Sequence, residues 1–381
     1  MDFKAIVIDD EKQILKSLRR LFIDLDWECY FFSDGNEAIE FMEEEDIDLL
    51  ITDIMMPQIG GKKILEYVKN NHNQVIRLVI TGYTDEDIFN LIREDLAQVL
   101  IFKPWNNENL LYRLKELEET YLYLKNNNLY QNIINMNFLP MKEKNKTKVL
   151  EYLSEEKSLE EVIDFIYDDL ILSINIFKIA NNIELDNKIG SLKKAVKILG
   201  IGNMTKIIEC MNVIDLPKFL DTINNYQLFL HKLFISTYKD IFGEEINDNI
   251  KDVCLFLNIS YLYYFKMKEA VSLDDAIINE EYFRENHERI SYYILKWWGF
   301  SKEFCDIALY HHNPLNYKGE ENISRIIHFI NICNTMFLKQ IEYEQYYKDN
   351  LESSIEYLNL NDEHIKILER QIDILKGSVK I

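Results

Sequence analysis

Four groups of polar residues in the first third of the chain each stand at the end of a short apolar run. In chain order they are Asp9 with Asp10, Asp53, Thr81 and Lys103. Uninterrupted apolar runs of this length are typical of parallel strands that are buried on both faces. Because ligands bind beyond the carboxyl ends of the strands in an open parallel sheet, we expect three carboxylates, a hydroxyl and an ammonium to meet in one shallow pocket.

These groups are the ones that magnesium-dependent phosphoryl transfer requires. Mg²⁺ prefers hard oxygen ligands, so Asp10 and Asp53 are expected to ligate it directly, and Asp9 directly or through water. Asp53 is the expected nucleophile, which would form an aspartyl phosphate. Lys103 and the Thr81 hydroxyl would hold the phosphoryl oxygens. The ion would also offset the repulsion among the clustered carboxylates.

Strand and helix signals alternate through this region and supply the elements that must position the pocket. Strands are predicted near residues 4–9, 28–32, 48–53, 76–81 and 98–102. Helical patterns fall between these strands and after the last one, which predicts a five-stranded, doubly wound parallel α/β sheet. Gly60 and Gly61 are expected to open the third helix, and Asn106 or Asn107 to cap the last.

Residues 1–125 resemble a response-regulator receiver domain, which has a flavodoxin-like fold. The positions that carry the resemblance are Asp9-Asp10, Asp53, Met56-Pro57, Thr81-Gly82-Tyr83 and Lys103-Pro104-Trp105. The resemblance implies that a sensor histidine kinase supplies the phosphoryl group to Asp53. Many receivers carry Tyr or Phe three residues before the lysine, where this chain has Leu100, so no aromatic switch is expected. Met55 and Tyr83 occupy positions at which the family tunes its dephosphorylation rate.

The composition argues against several classes of protein. The formal net charge of −22 disfavours a broad nucleic-acid footprint and binding to an anionic membrane surface. No apolar run approaches the length of a membrane span, and the chain leads straight into a strand rather than into a signal peptide. The five cysteines form no Cys-x-x-Cys pair and are expected to be reduced thiols in a cytoplasmic protein.

The helix after the fifth strand is predicted to run past the sheet. Its apolar residues alternate steps of four and three: Leu110, Leu114, Leu117, Tyr121 and Leu124. This heptad-like seam predicts a homodimer formed through residues 107–128. The alternative is that its first half packs on the sheet and the rest is a polar linker. Residues 126–139 are predicted to be a helical linker to the next domain.

From residue 140 onward the periodicity is helical and strand signals nearly vanish. Helices are predicted near residues 143–153, 159–166, 170–181, 191–198 and 202–212. The residues Ser158-Leu159-Glu160-Glu161 form a capping box before an apolar stripe. This pattern predicts an all-helical domain over residues 140–381.

Three stretches of this region resemble the HDOD domain, an all-α output domain related to the HD phosphohydrolases. They are residues 158–170, residues 176–181, which read Ile-Phe-Lys-Ile-Ala-Asn, and residues 189–200, which begin Ile-Gly-Ser and end Leu-Gly. One position departs from the pattern, since Asp169 is followed by Leu170 where the family has proline. The resemblance covers about residues 140–340.

An HD hydrolase binds one or two metal ions through an adjacent His-Asp pair and through further His and Asp ligands. Here Leu257 and Asn258 align with that pair, and the chain has no His-Asp dipeptide. Histidines remain at other positions where the family often carries them: His231, His287, His311 and His312. We expect these to be degenerate remnants, hydrogen-bonded in the helical core. The alternative is a single residual metal site that uses His287, His311 or His312.

Together these patterns predict a phosphorylation-dependent response regulator of a two-component system. Its helical domain would signal by binding another protein, whose identity the sequence does not give, and its only catalysis would be the receiver's own phosphotransfer. The alternative is a receiver-gated, metal-dependent phosphohydrolase or phosphodiesterase of the HD superfamily, which the missing His-Asp pair disfavours. A DNA-binding regulator is less favoured still, because the sequence contains no basic helix-turn-helix pattern.

Overall fold

The chain divides into two compact units, of which the first contains the chain up to Leu139 and the second most of the remainder. In this computed structural model the described residues are 3–57, 59–82, 91, 94, 96–130, 133, 139, 141–155, 157–183, 188–211, 213, 218–261, 286–340 and 351–376. Each unit is described by itself. No helix within these ranges is long and apolar enough to cross a bilayer.

A parallel sheet of five strands forms the centre of the first unit. The strands are β1 Phe3–Ile8, β2 Trp27–Phe32, β3 Leu49–Thr52, β4 Ile76–Thr81 and β5 Val99–Phe102. Their order across the sheet is β2-β1-β3-β4-β5, and every neighbouring pair is parallel. The predicted doubly wound sheet is therefore confirmed, and the carboxyl ends of all five strands lie along one edge.

Helices cover the sheet and set the start of the loops at that edge. They are α1 Lys12–Leu21, α2 Gly35–Glu44, α3 Gly61–Asn71 and α4 Asn107–Asn126. Glycine is required at position 61 because a Cβ atom there would lie 1.9 Å from the carbonyl oxygen of Asp53. Asn106 caps α4, as predicted, by accepting hydrogen bonds from the backbone amides of Glu108 and Asn109.

The apolar core that fixes these elements is made of residues from the strands and from the helices that cover one face. Its members include Ile6, Leu50, Val79 and Leu100 from the sheet and Ala38, Ile64 and Leu65 from α2 and α3. Consecutive strand residues are buried on both faces, which is why the runs read as uninterrupted apolar sequence. This packing holds the strand ends, and hence the polar residues beyond them, in fixed positions.

The five seam positions of α4 are all buried within the single chain, with exposures of at most 2%. Tyr121 donates a 2.6 Å hydrogen bond to Asp48 Oδ1 and packs edge-to-face on Phe3 and Tyr130. Tyr130 and the neighbouring Leu129 are themselves buried, although they lie in the predicted linker. A second copy of the chain is therefore not needed to cover the seam, and the homodimer stays a prediction.

Beyond Leu139 the described residues are predominantly helical, as predicted. The helices are α5 Glu143–Ser154, α6 Leu159–Tyr167, α7 Leu170–Ile183, α8 Leu192–Cys210, α9 Lys218–Phe242, α10 Lys302–Tyr310, α11 Glu321–Gln340, α12 Leu351–Tyr357 and α13 Asp362–Lys376, and residues 286–297 are helical as well. Ser158 and Glu161 form the predicted capping box. Gly200, at φ +70°, interrupts α8 at the point where the sequence predicts a break between two helices.

Four phenylalanines form an aromatic cluster in the core of the second unit. Phe256 contacts Phe177, Phe300 and Phe304, with ring centroids 5.1–5.4 Å apart. Phe256 comes after the 3₁₀ turn Val253–Leu255 and directly precedes Leu257. The segment aligned with the HD pair is therefore built into the apolar core.

Candidate functional site

The predicted acidic residues meet at the carboxyl edge of the sheet. Because Ile8 pairs with Thr52 in the register of β1 and β3, the next residues, Asp9 and Asp53, lie side by side. Carboxylate oxygens of Asp9, Asp10 and Asp53 all lie within 4.8 Å of one another. Asp9 and Asp53 are buried, with exposures of 2% and 8%, whereas Asp10 is open to solvent. The strand ends thus create one acidic pocket with a wet side.

Lys103 lies between two of these carboxylates. Its Nζ is 2.9 Å from Asp9 Oδ2 and 2.8 Å from Asp53 Oδ2. Its backbone amide donates a 2.7 Å hydrogen bond to the carbonyl oxygen of Thr81, which ties the end of β5 to the end of β4. Burial works to lower the pKa of Lys103, but the hydrogen bonds to Asp53 and Asp9 outweigh it and the pKa is raised. The side chain is therefore a cation.

Backbone amides orient the two buried carboxylates. Asp53 Oδ1 accepts hydrogen bonds from the amides of Ile54, at 2.6 Å, and Met55, at 3.5 Å. Asp9 Oδ1 accepts one from the amide of Glu11, at 2.8 Å. The second oxygen of each carboxylate consequently faces Lys103. Burial raises the pKa of Asp9, while its hydrogen bond with Lys103 opposes that rise.

The pocket has the ligand chemistry that Mg²⁺ requires. All three candidate ligands are carboxylates, and the exposed position of Asp10 leaves room for the water that this ion retains. Lys103 offsets part of the negative charge, so the cluster can exist before a metal binds. The residues present therefore fit the ion: Asp9, Asp10 and Asp53 would hold it.

The remaining sequence-predicted positions lie in and around the pocket. Leu100 is 2% exposed in the sheet core, so no aromatic side chain is present there to switch. Met55 is 57% exposed beside the pocket, and Tyr83 lies outside the described residues. Sequence reasoning missed Glu11, whose carboxylate is 3.6 Å from Lys103 Nζ. Its signal was its place directly after the acidic pair.

Comparison with known proteins agrees with this geometry. Residues 5–115 match the family model of the response regulator receiver domain. These residues form a receiver domain. The receiver is 29% identical over 116 residues to the hydrogenase transcriptional regulatory protein HoxA of Cupriavidus necator, an alignment that covers 30% of this chain and 24% of HoxA.

The receiver is also 32% identical over 117 residues to the regulatory protein VanRc of Enterococcus gallinarum, covering 30% of this chain and 49% of VanRc. The chain thus spans between a quarter and a half of the length of these two curated relatives. Among solved structures it resembles the signal receiver domain of an HD domain-containing protein from Pseudomonas fluorescens Pf-5. That match is 24% identical with a TM-score of 0.31, and it covers 32% of this chain and 99% of the other.

Three of the four retained histidines of the second unit come together. Ring nitrogens of His287, His311 and His312 lie within 4.8 Å of one another, and all three side chains are buried. Burial lowers the pKa of His311 to about 3, and it lowers the pKa of His312 well below its ordinary value. Both imidazoles are consequently neutral around pH 7.

The fourth histidine has a different partner. His231 Nε2 lies 3.5 Å from Asp252 Oδ1, and Asp252 is fully buried. The other oxygen of Asp252 accepts hydrogen bonds from the Tyr167 hydroxyl, at 2.7 Å, and from the Leu192 amide, at 2.5 Å. Asp252 thus links α6, the start of α8 and α9. No spacing pattern in the sequence marked it.

Leu257 and Asn258 occupy the places that the alignment assigns to the catalytic pair of an HD hydrolase. The Leu257 side chain is fully buried and carries no atom that can bind a metal. Its neighbour Asn258 offers a neutral amide in place of a carboxylate. The segment is therefore apolar core at the point where a catalytic metal centre needs ligands.

Proposed function

We propose that this protein is a phosphorylation-dependent response regulator in which Asp53 accepts a phosphoryl group from a sensor histidine kinase. The observation that carries the proposal is the contact of Lys103 Nζ with both Asp9 and Asp53, at 2.9 and 2.8 Å, within a cluster of three carboxylates. Coordinated carboxylates beside a fixed ammonium are the arrangement that in-line phosphoryl transfer to a carboxylate needs.

In the proposed reaction an oxygen of Asp53 bonds to phosphorus while the bond from phosphorus to the donor breaks. Bound Mg²⁺ would supply positive charge to the phosphoryl oxygens and to the carboxylates around it. The hydrogen bond from Ile54 holds Oδ1 of Asp53, so Oδ2 is the oxygen available for attack. Lys103 then exchanges its contact with Asp53 for a phosphoryl oxygen, and the Thr81 hydroxyl donates to another.

The proposed output is protein binding by an HDOD-like helical domain. Support comes from Leu257, which is fully buried in the core where an HD hydrolase requires a histidine ligand. We therefore expect no hydrolysis of nucleotides or cyclic dinucleotides. The proposal places the protein in the cytoplasm, consistent with Cys254 and Cys333, which are thiols buried in the core.

We further propose that phosphorylation acts on the helix α4 and the residues after it, and so on protomer association through residues 107–128. Support comes from Lys103, which lies just beyond β5 and four residues before α4 begins. Beryllofluoride, a phosphoryl mimic, should change the mass or the shape of the protein in light and small-angle scattering. Unchanged mass and shape with the mimic bound would contradict this part of the proposal.

The second candidate is a receiver-gated, metal-dependent phosphohydrolase or phosphodiesterase. It is favoured by one observation, the buried cluster of His287, His311 and His312. It is the weaker candidate because its hydrolytic water would need the ligands that Leu257 and Asn258 replace. Turnover of a nucleotide or cyclic dinucleotide, with two transition metals bound per chain and activity lost on mutating His311, would establish it.

The primary test is labelling by a small phosphodonor such as acetyl phosphate in the presence of Mg²⁺. The wild type should gain one phosphoryl group, and Asp53→Asn should gain none. Asp34→Asn is the matched control, since Asp34 caps α2 through a side-chain oxygen that asparagine also has. Labelling that survives in Asp53→Asn would place the acceptor elsewhere and overturn the assignment.

A further inference from the structure

The histidine cluster of the second unit has an internal geometry that distinguishes it from ordinary buried histidines. His287 Nε2 and His312 Nε2 face each other at 3.1 Å. The rings of His311 and His312 lie close together, with centroids 3.8 Å apart. His287 is on the helical segment 286–297, whereas His311 ends α10 and His312 comes directly after it, so two separate parts of the chain supply the cluster.

An outer group holds the Nδ1 atom of each ring. His311 Nδ1 is 2.8 Å from the carbonyl oxygen of Ala308, so it must donate its proton there. His287 Nδ1 is 3.3 Å from a carboxylate oxygen of Glu288, and His312 Nδ1 is 3.4 Å from the Asn334 amide. A proton held at Nδ1 leaves the lone pair on Nε2, which is the arrangement that metal-binding histidines use.

The inward nitrogen of His311 supplies an independent observation. Its Nε2 is buried and has no hydrogen-bond partner among the residues that the structure describes. A buried nitrogen lone pair without a partner costs about 1–3 kcal/mol, so such atoms are rare unless something binds them. The atom belongs to the ring whose Nδ1 proton is already committed to Ala308.

The separation of the two facing nitrogens agrees with metal coordination. Two nitrogens that each lie about 2.0–2.1 Å from a tetrahedral zinc ion are about 3.3 Å from each other. The observed 3.1 Å between His287 Nε2 and His312 Nε2 is close to that edge length. Two lone pairs that face each other at this distance repel, and an ion bound by both would remove the repulsion.

We propose that His287, His311 and His312 bind a single transition-metal ion of the zinc and cobalt class. Three neutral imidazoles suit such an ion and are poor ligands for Mg²⁺ or Ca²⁺, which require oxygen. At least one coordination position remains for water or a small anion. Glu288 is the outer carboxylate that orients His287 and offsets part of the ion's charge. This site is independent of the chemistry proposed at Asp53.

The test uses the full-length protein, stripped of metal and then titrated with Co²⁺ in excess Mg²⁺. The Mg²⁺ keeps the acidic pocket occupied by its preferred ion, and Co²⁺ bound by imidazole gives a visible absorption spectrum. We expect one Co²⁺ per chain with that spectrum, displaced by one equivalent of Zn²⁺. Absence of bound Co²⁺ would overturn the proposal.

The decisive variant is His311→Asn, whose amide can still donate to the Ala308 carbonyl but offers no inward nitrogen. It should lose the Co²⁺ spectrum. His328→Asn is the matched control, because His328 is also a buried histidine held through Nδ1, by Ser354 at 2.9 Å, and lies outside the cluster. It should bind as the wild type does. Identical titrations of His311→Asn and wild type would overturn the proposal.

A second variant keeps the proposal testable if His311→Asn does not fold. Glu288→Gln changes only the outer contact to His287 Nδ1, and it should weaken Co²⁺ binding by about 10- to 100-fold. Circular dichroism of each variant shows whether it is folded. If Glu288→Gln is folded and binds Co²⁺ with unchanged affinity, the assigned coordination is wrong.

Discussion

The acidic pocket of the receiver and the histidine cluster of the helical unit each bring three potential metal ligands within 4.8 Å. They differ in charge and in access to water. The acidic pocket contains carboxylates whose repulsion is offset by Lys103, and Asp10 opens it to solvent. The histidine cluster has neutral imidazoles at His311 and His312, and all three of its side chains are buried. The same ligand count therefore serves two different ion chemistries.

The difference arises from what each ligand needs in the absence of an ion. Clustered carboxylates need a cation nearby, so the pocket includes its own ammonium, which a metal and a phosphoryl group can displace. Imidazoles can be buried neutral without a counter-charge, which lowers the free-energy cost of a solvent-excluded site. We expect the first site to exchange its ion readily and the second to retain it.

The strongest effect should be that phosphoryl transfer depends on the ion at one site and not at the other. Omitting Mg²⁺ should reduce phosphoryl labelling of Asp53 to background, because Zn²⁺ or Co²⁺ at one equivalent would be held by the histidines. Labelling with acetyl phosphate and then measuring the intact mass checks this. Full labelling supported by one equivalent of Zn²⁺ without Mg²⁺ would show that the two sites are not distinct in ion chemistry.

Removing the internal cation should expose the repulsion within the acidic pocket. Lys103→Met leaves Asp9 and Asp53 facing each other, and the free energy of unfolding should fall by about 2–4 kcal/mol. Added Mg²⁺ should restore more stability to this variant than to the wild type, since no ammonium competes for the carboxylates. Urea unfolding with and without Mg²⁺ measures both changes.

Lys62→Met is the control for that experiment. Lys62 also forms an ion pair, with Glu94 at 2.8 Å, but both side chains are much more exposed to solvent than those of the pocket. Its loss should change the free energy of unfolding by about 0–1 kcal/mol, with no added response to Mg²⁺. Equal losses in the two variants would show that Lys103 has no special role in the pocket.

Buried neutral imidazoles should make the helical unit sensitive to acid. Burial lowers the pKa of His328 to about 4 from an ordinary value of 6.5, so the folded protein resists protonation that the unfolded chain accepts. The stability from this group is complete above pH 6.5 and is lost as the pH falls towards 4, by at most about 3 kcal/mol. Unfolding of wild type and His328→Asn across this range should show a smaller acid loss in the variant. Equal slopes would contradict the assignment.

The weakest effect should come from Glu11, at the exposed side of the acidic pocket. Its carboxylate is 3.6 Å from Lys103 Nζ and is largely in solvent. Glu11→Gln should weaken Mg²⁺ binding by a factor of about two to five, equivalent to roughly 0.2–1 kcal/mol. Isothermal titration with Mg²⁺ measures it. A loss as large as that of Asp10→Asn would make Glu11 a ligand rather than a neighbour.

Local sequence patterns were sufficient to predict the sheet and the composition of the acidic pocket. Each pocket residue directly succeeds an apolar run, and parallel strands bring their carboxyl ends to one edge, so adjacency in space is set by position in the chain. The pairing of Ile8 with Thr52 realises this for Asp9 and Asp53. The caps at Asn106 and Ser158 were predictable for a similar reason, because capping depends on residues only two or three positions away.

The use of the histidines, by contrast, depends on tertiary packing. His287 and His311 are separated by 23 intervening residues, and no helical period relates them, so their convergence depends on how the helices pack. The same packing gives His231 to Asp252 and supplies Asn334 as an outer contact of His312. Contacts between helices depend on side-chain fit across distant segments, which local sequence patterns do not encode.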